Sequence, residues 1–353
     1  MQGEGGVGLF SRFSRDMGID LGTANTLIYV AGRGTVLSEP SVVALDQQTR
    51  KPLAFGEAAR QMLGRTPSTI QAVRPLRDGV IADFDLAEMM IKHFIQRIHN
   101  GEYLVSPLVV IGIPSGITGI ERRAVMEAAI RAGAREVRLI DEPVAAAIGA
   151  GLPVTGPTGS LVVDIGGGTT EVAVIALGGT VVSESVRVAG DELTESIATY
   201  LKKVHNLVIG ERTAEEIKMR LGTASARRDE GDKWEVRGLH MLSGLPRTVD
   251  VHTAEIRECM SEPLSAIIEA IKRTLERTPP ELVADIADRG IVLAGGGALL
   301  KGLDDLVSDE TGVAVYVAED PLRCVVLGIG QVLENFARLE RVVSSSIKRL
   351  SDR

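Results

Sequence analysis

Aromatic side chains are scarce. Phe, Tyr and Trp make up 3% of the 353 residues, so any core has to be built from aliphatic side chains at close range. Cysteine is nearly missing as well. Cys259 and Cys324 each lack a second cysteine at metal-ligand spacing, which excludes a disulfide framework or a zinc cluster and fits a reducing cytosol. No apolar run approaches the length of a bilayer span, and no secretory leader is visible. A formal net charge of −8 argues against general nucleic-acid binding, which needs clustered cations. What is present is 44% apolar and 24% charged residues, a globular balance with room for two domains.

The most informative stretch is LVVDIGGGTTEVAV, residues 161–174. Leu161–Val163 reads as a buried strand with Asp164 at its end, and Glu171–Val174 reads as the second arm of a hairpin. Between them, Gly166, Gly167 and Gly168 remove every Cβ from a tight turn, so backbone N–H groups can approach an anion closely. Thr169 and Thr170 add hydroxyls. A carboxylate beside a phosphate-sized nest repels the phosphate unless a cation lies between them, so the stretch suggests a Mg²⁺–nucleotide site with Asp164 holding the metal through water. Taken alone, it reads first as a tight hairpin with a capping acid.

A second copy changes the balance. GIDLGTANTLIYV, residues 18–30, superposes on 162–174 without a gap: Asp20 on Asp164, Gly22 on Gly166, Thr26 on Thr170. Two such units far apart in the chain imply two similar domains, each offering a phosphate loop. In the first copy the loop is Gly22, Thr23, Ala24 and Asn25. A third glycine run, Gly295-Gly296-Gly297 followed by Ala298, comes after an apolar strand, without the Lys-Ser/Thr of a P-loop or the spacing of a dinucleotide fingerprint.

These three motifs resemble, in order, the phosphate-1, phosphate-2 and adenosine motifs of the actin/Hsp70/sugar-kinase ATPases. Within that superfamily the chain is similar to the MreB family of bacterial actins over roughly residues 17–340. SEPSVVAL (38–45), MLGRTP (62–67), RPLRDGVIADF (74–84), IGIPSG (111–116) and IDEPVAAAIGAGLP (140–153) extend the resemblance. It implies an α/β, two-lobed actin-like ATPase fold of duplicated ribonuclease-H-like domains, each with a small inserted subdomain. Lobe I is then 17–150 with an insertion at about 32–76, lobe II is 151–320 with an insertion at about 189–257, and 321–353 are closing helices on lobe I. Gly151–Gly159, rich in glycine and proline, is the natural hinge.

The expected cofactors are ATP/ADP and Mg²⁺, with Asp20 and Asp164 on the metal through water. Glu142 follows the strand Val137–Ile140 and precedes Pro143, at a strand's C-terminal edge where open α/β sheets place ligands. It can orient a water for attack on a γ-phosphate, or merely complement a helix N-terminus. The resemblance makes Glu142 the activating glutamate and Thr169 its helper. In AGDELTESI (189–197) the family usually has Gly-Gly-Asp; Ala189 departs from that, leaving Gly190 and Asp191 as the phosphate-side contacts. Thr213-Ala-Glu215-x-x-Lys218 resembles the adenine-side motif, which would place Glu215 and Lys218 near base or ribose; an i,i+3 ion pair on a solvated helix explains them as well.

The first 16 residues are unlike the rest. Leu9, Phe10 and Phe13 share one helical face with Arg12 and Arg15 beside them, an amphipathic segment able to lie in a lipid interface. Without the resemblance this is equally a disordered leader or a helix packed on its own domain. Tyr103 and Leu104, in the tip after the helix 85–99, either cap the core edge or join the membrane contact. The family implies a homopolymer of paired protofilaments on the inner face of the cytoplasmic membrane, partnered with transmembrane cell-wall elongation proteins and with no nucleic acid, directing cell-wall synthesis and rod shape. The alternative is a soluble actin-fold ATPase, a sugar kinase or an Hsp70-like chaperone. Against it, the chain stops after one closing helix and shows no second acid placed as a substrate base. Further expectations are a helix from Asp191 to about Leu207, a small helix around Glu57–Leu63, a helix Ile256–Leu275 kinked at Pro263, a strand Val313–Val317, and a stripe Leu333, Phe336, Leu339, Val343, Ile347, Leu350 that packs within the chain or on a partner helix.

Overall fold

The computed structural model describes residues 16–99, 106–335 and 339. Leu9, Phe10, Arg12, Phe13, Arg15, Tyr103, Leu104, Phe336, Val343, Ile347 and Leu350 lie outside the described residues. The fold separates into two compact units: one holds the chain up to Thr155, Leu177–Gly179 and the segment from Arg323, the other Gly156–Ala176 and Thr180–Leu322.

In the first unit, β1 (Met17–Leu21), β2 (Asn25–Val30) and β3 (Gly34–Pro40) form an antiparallel meander. A three-stranded sheet follows, with β4 (Val43–Asp46) between β5 (Pro52–Phe55) and β6 (Ile70–Val73), and with α1 (Gly56–Arg60) after β5. The short hairpin β7 (Leu76–Arg77) and β8 (Val80–Ile81) leads into α2 (Phe84–His99). Then come β9 (Leu108–Ile113), α3 (Gly119–Arg131), β10 (Glu136–Asp141) and α4 (Glu142–Gly149), with β9 parallel to β1 and β10 parallel to β9. The core is aliphatic, as the composition requires: Ile19, Ile28, Ile111 and Leu139 of the sheet meet Met90, Ile91 and Phe94 of α2 and Ala128 and Ala129 of α3. The capping box of α3 forms as its sequence predicts. Glu121 N–H donates to the Thr118 hydroxyl at 3.2 Å, and Thr118 N–H donates to Glu121 Oε2 at 2.7 Å.

The second unit opens with β11 (Ser160–Ile165), β12 (Thr170–Ala176) and β13 (Gly179–Val186). After α5 (Gly190–Val204) come β14 (Leu207–Val208), α6 (Glu211–Leu221), β15 (Lys233–His240) and β16 (Pro246–His252), with β14, β15 and β16 forming a small sheet. Then follow α7 (Thr253–Cys259), α8 (Ser261–Glu276), α9 (Pro280–Arg289), β17 (Ile291–Ala294), α10 (Leu303–Thr311) and β18 (Val315–Val317). The main sheets have matching order, β3-β2-β1-β9-β10 in one unit and β13-β12-β11-β17-β18 in the other. In both, the acid-bearing strand pairs antiparallel with its hairpin mate and parallel with the next strand, so the duplication read in the sequence is a duplication of fold.

Some expected elements are corrected. α5 stops at Val204 instead of reaching Leu207, because Asn206 takes a left-handed turn (φ 52°) and Leu207–Val208 pairs with β15. The helix expected over Ile256–Leu275 is two helices broken at Met260. Pro263 therefore lies in the first turn of α8, where its missing N–H leaves no helical bond unmade. The strand expected from Val313 starts at Val315, and the helix expected over Glu57–Leu63 is Gly56–Arg60.

α11 (Cys324–Glu334) returns the chain to the first unit, where it crosses α4 backbone to backbone. A Cβ on Gly149 would stand 1.8 Å from the Cys324 carbonyl oxygen, and one on Gly328 1.8 Å from that of Ala145. Ile329 fills the space over Gly18, and the Tyr29 ring lies against Gly330. With few aromatics to span gaps, this part of the unit closes by bringing main chains together.

Candidate functional site

In the first unit the site begins where β1 ends. Asp20 and Leu21 pair with Leu27 and Thr26, so residues 22–24 make the turn. Gly22 is required there, since a Cβ would come within 2.7 Å of the Asn25 carbonyl oxygen. Hydroxyls hold the turn. Ser41 Oγ donates to the Gly22 carbonyl at 2.7 Å and lies 2.9 Å from Thr26 Oγ1, and Ser41 N–H donates to the Ala24 carbonyl at 3.0 Å. The buried Thr23 accepts from Gly79 N–H at 3.0 Å, which ties the turn to the β7–β8 hairpin. Burial pushes the Asp20 carboxyl up to about 7, so bringing up a cation would favour its ionised form.

Across the parallel strands, Asp20 pairs with Gly112, which pairs with Ile140, two residues before Glu142. Glu142 opens α4, with Pro143 in the first turn. A Cβ on Gly112 would be 3.3 Å from Glu142 Cγ and 3.3 Å from Val325 of α11. The structure thus brings Asp20, the 22–25 turn and Glu142 to one end of one sheet, the carboxyl end of its parallel strands.

In the second unit Asp164, 6% exposed, ends β11 opposite Glu171. Gly166 N–H donates to the Thr169 carbonyl at 2.9 Å and closes the turn. The first turn of α5 then fastens onto it: Gly190 N–H donates to the Gly166 carbonyl at 3.2 Å and Asp191 N–H to that of Gly167 at 2.7 Å. Those two amides hold the glycine loop. Lys218 and Glu215 form the i,i+3 ion pair at 2.7 Å, and Lys218 Nζ also donates to the Gly190 carbonyl at 2.8 Å and the Thr194 hydroxyl at 2.9 Å. They brace the start of α5. Gly295, at φ 78°, lies against the acid itself: a Cβ there would sit 2.6 Å from Asp164 Oδ1 and 2.3 Å from the Ile165 carbonyl. Gly297 packs on Ile165 in the same way, and Ala298 is buried behind it. Asp164, the 166–169 turn, Gly190, Asp191, Lys218 and the 295–298 turn therefore form one cluster.

Sequence reasoning missed Ser41, its contact with Thr26, and Gly112. Ser41 lies in a quoted motif, but nothing in its neighbourhood marks Gly22 as its partner; Gly112 sits in IGIPSG, where a glycine between two apolar residues is the available signal. No three His, Cys, Asp or Glu side chains gather as a metal cage among the described residues. Mg²⁺ seldom needs one, since one or two carboxylates with water and ligand oxygens suffice. Asp20 in the first unit and Asp164 in the second are each a single carboxylate at a glycine-opened turn, the type of donor such a site uses.

The MreB/Mbl protein family model matches residues 14–341. The cell shape-determining protein Mbl of Bacillus subtilis is 51% identical over 331 residues, covering 93% of this chain and 98% of the relative. The cell shape-determining protein MreB of Escherichia coli K12 is 54% identical over 327 residues, 91% of this chain and 94% of the relative. Among solved structures, MreB 5 of Spiroplasma citri bound to AMPPNP superposes with a TM-score of 0.88 at 37% identity, covering 92% of this chain and 97% of that one. On a match over nearly its whole length, the chain belongs to the MreB/Mbl family and is a cytoskeletal protein of the actin-like fold.

Proposed function

We propose that the protein binds Mg²⁺-ATP, hydrolyses it, and polymerises into paired actin-like filaments on the inner face of the cytoplasmic membrane. There it would direct wall synthesis and cell shape together with transmembrane cell-wall elongation proteins. The observation that carries this reading is the repeated strand–aspartate–turn–strand unit, with one carboxylate at each turn. The MreB 5 relative bound to AMPPNP and the two cell shape-determining relatives support it. Asp20 and Asp164 would hold Mg²⁺ through water, and the bound metal would neutralise phosphate charge. The turns 22–25 and 166–169 would present N–H groups to the phosphates. Gly190 and Asp191 would contact the phosphate side, Glu215 and Lys218 would lie near the base or ribose, and Gly295–Ala298 would take the adenosine side.

Glu142 would orient the attacking water, with Thr169 helping, and contribute little to ATP binding. Replacing it by alanine should slow phosphate release about 100-fold, as loss of a group that positions a nucleophile does. ATP affinity should stay within several-fold. Normal hydrolysis by Glu142→Ala would reduce Glu142 to a helix-start acid.

Sedimentation with and without ATP tests assembly, and liposome co-sedimentation tests the membrane. A deletion of residues 1–15 spares Asp16, whose carboxylate accepts from Leu108 N–H at 3.0 Å and pairs with Arg135 at 3.0 Å. That deletion, or the double change Phe10→Glu and Phe13→Glu, should abolish liposome binding and leave ATP-dependent filaments intact. One helix binds lipid weakly, but many helices on one filament bind together. Binding that survives both variants would move the contact to Tyr103 and Leu104. Absence of filaments with Mg²⁺-ATP at any protein concentration would overturn the reading.

A further inference from the structure

Ser41 stands in the short link between β3 and β4, fully buried and pinned by its neighbours. Val42 N–H donates to the Pro40 carbonyl at 2.8 Å, and Gly56 N–H to that of Val42 at 3.0 Å. The Ser41 hydroxyl carries one proton, and that proton goes to the Gly22 carbonyl at 2.7 Å. The Thr26 hydroxyl, 2.9 Å from the same oxygen, is then the donor to it, which makes a chain from Thr26 through Ser41 to Gly22. Ser41 N–H donates to the Ala24 carbonyl at 3.0 Å. One buried residue therefore holds two carbonyls of the 22–24 turn.

A trans peptide points its N–H away from its own carbonyl. With the Gly22 carbonyl turned to the Ser41 hydroxyl, the N–H of Thr23 faces the other way; with the Ala24 carbonyl turned to the Ser41 amide, so does the N–H of Asn25. The second unit solves the same problem at the same point of its fold, in the segment after β13. There Gly190 N–H takes the Gly166 carbonyl at 3.2 Å and Asp191 N–H that of Gly167 at 2.7 Å. Thr170, the counterpart of Thr26, donates its hydroxyl to the Val188 carbonyl at 2.7 Å. Two backbone amides brace that turn, whereas one amide and one side chain brace the first.

We infer that Ser41 is a positioning residue for the nucleotide's phosphates: it aims the amides of Thr23 and Asn25 away from the brace as a preformed pair of anion donors. The inference rests on the nucleotide reading above and adds to it a residue that touches no phosphate itself. Without the hydroxyl the Gly22–Thr23 peptide is free to turn, and binding has to order it.

The test measures the affinity of the full-length protein for Mg²⁺-AMPPNP by calorimetry and, in parallel, for adenosine, which has no phosphate. Ser41→Ala should weaken Mg²⁺-AMPPNP about tenfold, the loss expected when a buried carbonyl is left without its donor. Its affinity for adenosine should stay that of the parent, a separation that a general loosening of the fold would not produce. Thr26→Val keeps the shape and removes the donor behind Ser41, so it should weaken Mg²⁺-AMPPNP by about threefold. Thr26→Ser keeps the hydroxyl and should match the parent. Should Ser41→Ala fail to fold, the comparison of Thr26→Val with Thr26→Ser decides in its place. Undiminished Mg²⁺-AMPPNP affinity in the deciding variant, or a loss shared equally by adenosine, overturns the inference and leaves the nucleotide reading standing. A parent protein that does not bind Mg²⁺-AMPPNP overturns that reading, and the inference with it.

Discussion

Replacing Gly328 by alanine should destabilise the first unit severely, although alanine is the better helix former. Two effects compete at this position. Gly→Ala inside a helix gains about 1 kcal/mol of intrinsic propensity. Against that, the new methyl would lie 1.8 Å from the Ala145 carbonyl oxygen, little more than half of an ordinary carbon–oxygen contact. No rotamer relieves the clash, because a Cβ has none, so α4 and α11 must separate. Overpacking costs about 1–3 kcal/mol where side chains can yield, and more where only backbone can. A net loss of roughly 3 kcal/mol or more is expected, which for a unit of this size is a fall in melting temperature on the order of 10 °C. Because Glu142 opens α4 and touches the Gly112–Val325 contact, hydrolysis should fall with it even where the variant remains folded. Gly119→Ala is the control: that glycine begins α3 with nothing within 4 Å of its Cβ position, so its change should be neutral or slightly stabilising. Equal melting temperatures for Gly328→Ala and the parent would show that the helix crossing is softer than its geometry.

This crossing also marks where the sequence stops being readable. The hairpins at Asp20 and Asp164 were legible because strand, acid and glycine recur in a fixed local order, and local order is what a one-dimensional reading sees. The capping box at Thr118 and Glu121 was legible for the same reason. Gly149 and Gly328 carry no such mark. Each is a helical glycine whose meaning comes from a carbonyl contributed by a segment far away in the chain. The stripe from Leu333 onward drew attention instead, yet α11 packs through the glycines that precede it. Pro263 misled in a related way. A proline inside an apolar periodicity reads as a kink, whereas the break came earlier, at Met260, and left Pro263 at a helix start. At the site, residue types suggested the chemistry and the fold added supporting contacts. Glu215 and Lys218 matched a nucleotide motif and also the simple ion pair. The structure shows the pair, and adds that Lys218 reaches the Gly190 carbonyl, a contact that no spacing announces.

The Asp164→Ala variant should lose Mg²⁺-dependent nucleotide binding while keeping its fold. Asp164 is 6% exposed at the end of β11, with Gly295 pressed against its carboxylate. Truncation removes a buried carboxylate and, with it, the cost of keeping that charge from water, so the lost contacts and the relieved desolvation oppose one another. The melting temperature should therefore move by only a few degrees. Binding has no such compensation. A carboxylate that holds a metal through water is an outer partner of the ion, and losing such a partner typically costs about 10- to 100-fold in metal affinity. The decisive measurement is nucleotide affinity with Mg²⁺ and again with the metal chelated. The parent should bind ATP far more weakly once Mg²⁺ is removed, whereas Asp164→Ala should bind weakly in both conditions, so that the Mg²⁺ effect itself disappears. Asp164→Asn, which keeps the shape and removes the charge, should follow the alanine variant. If it instead follows the parent, the side chain acts by packing under Gly295 and not by holding a cation. An Asp164→Ala protein that retains both its ATP affinity and the Mg²⁺ dependence would place the metal elsewhere and leave the aspartate as a cap on its own hairpin.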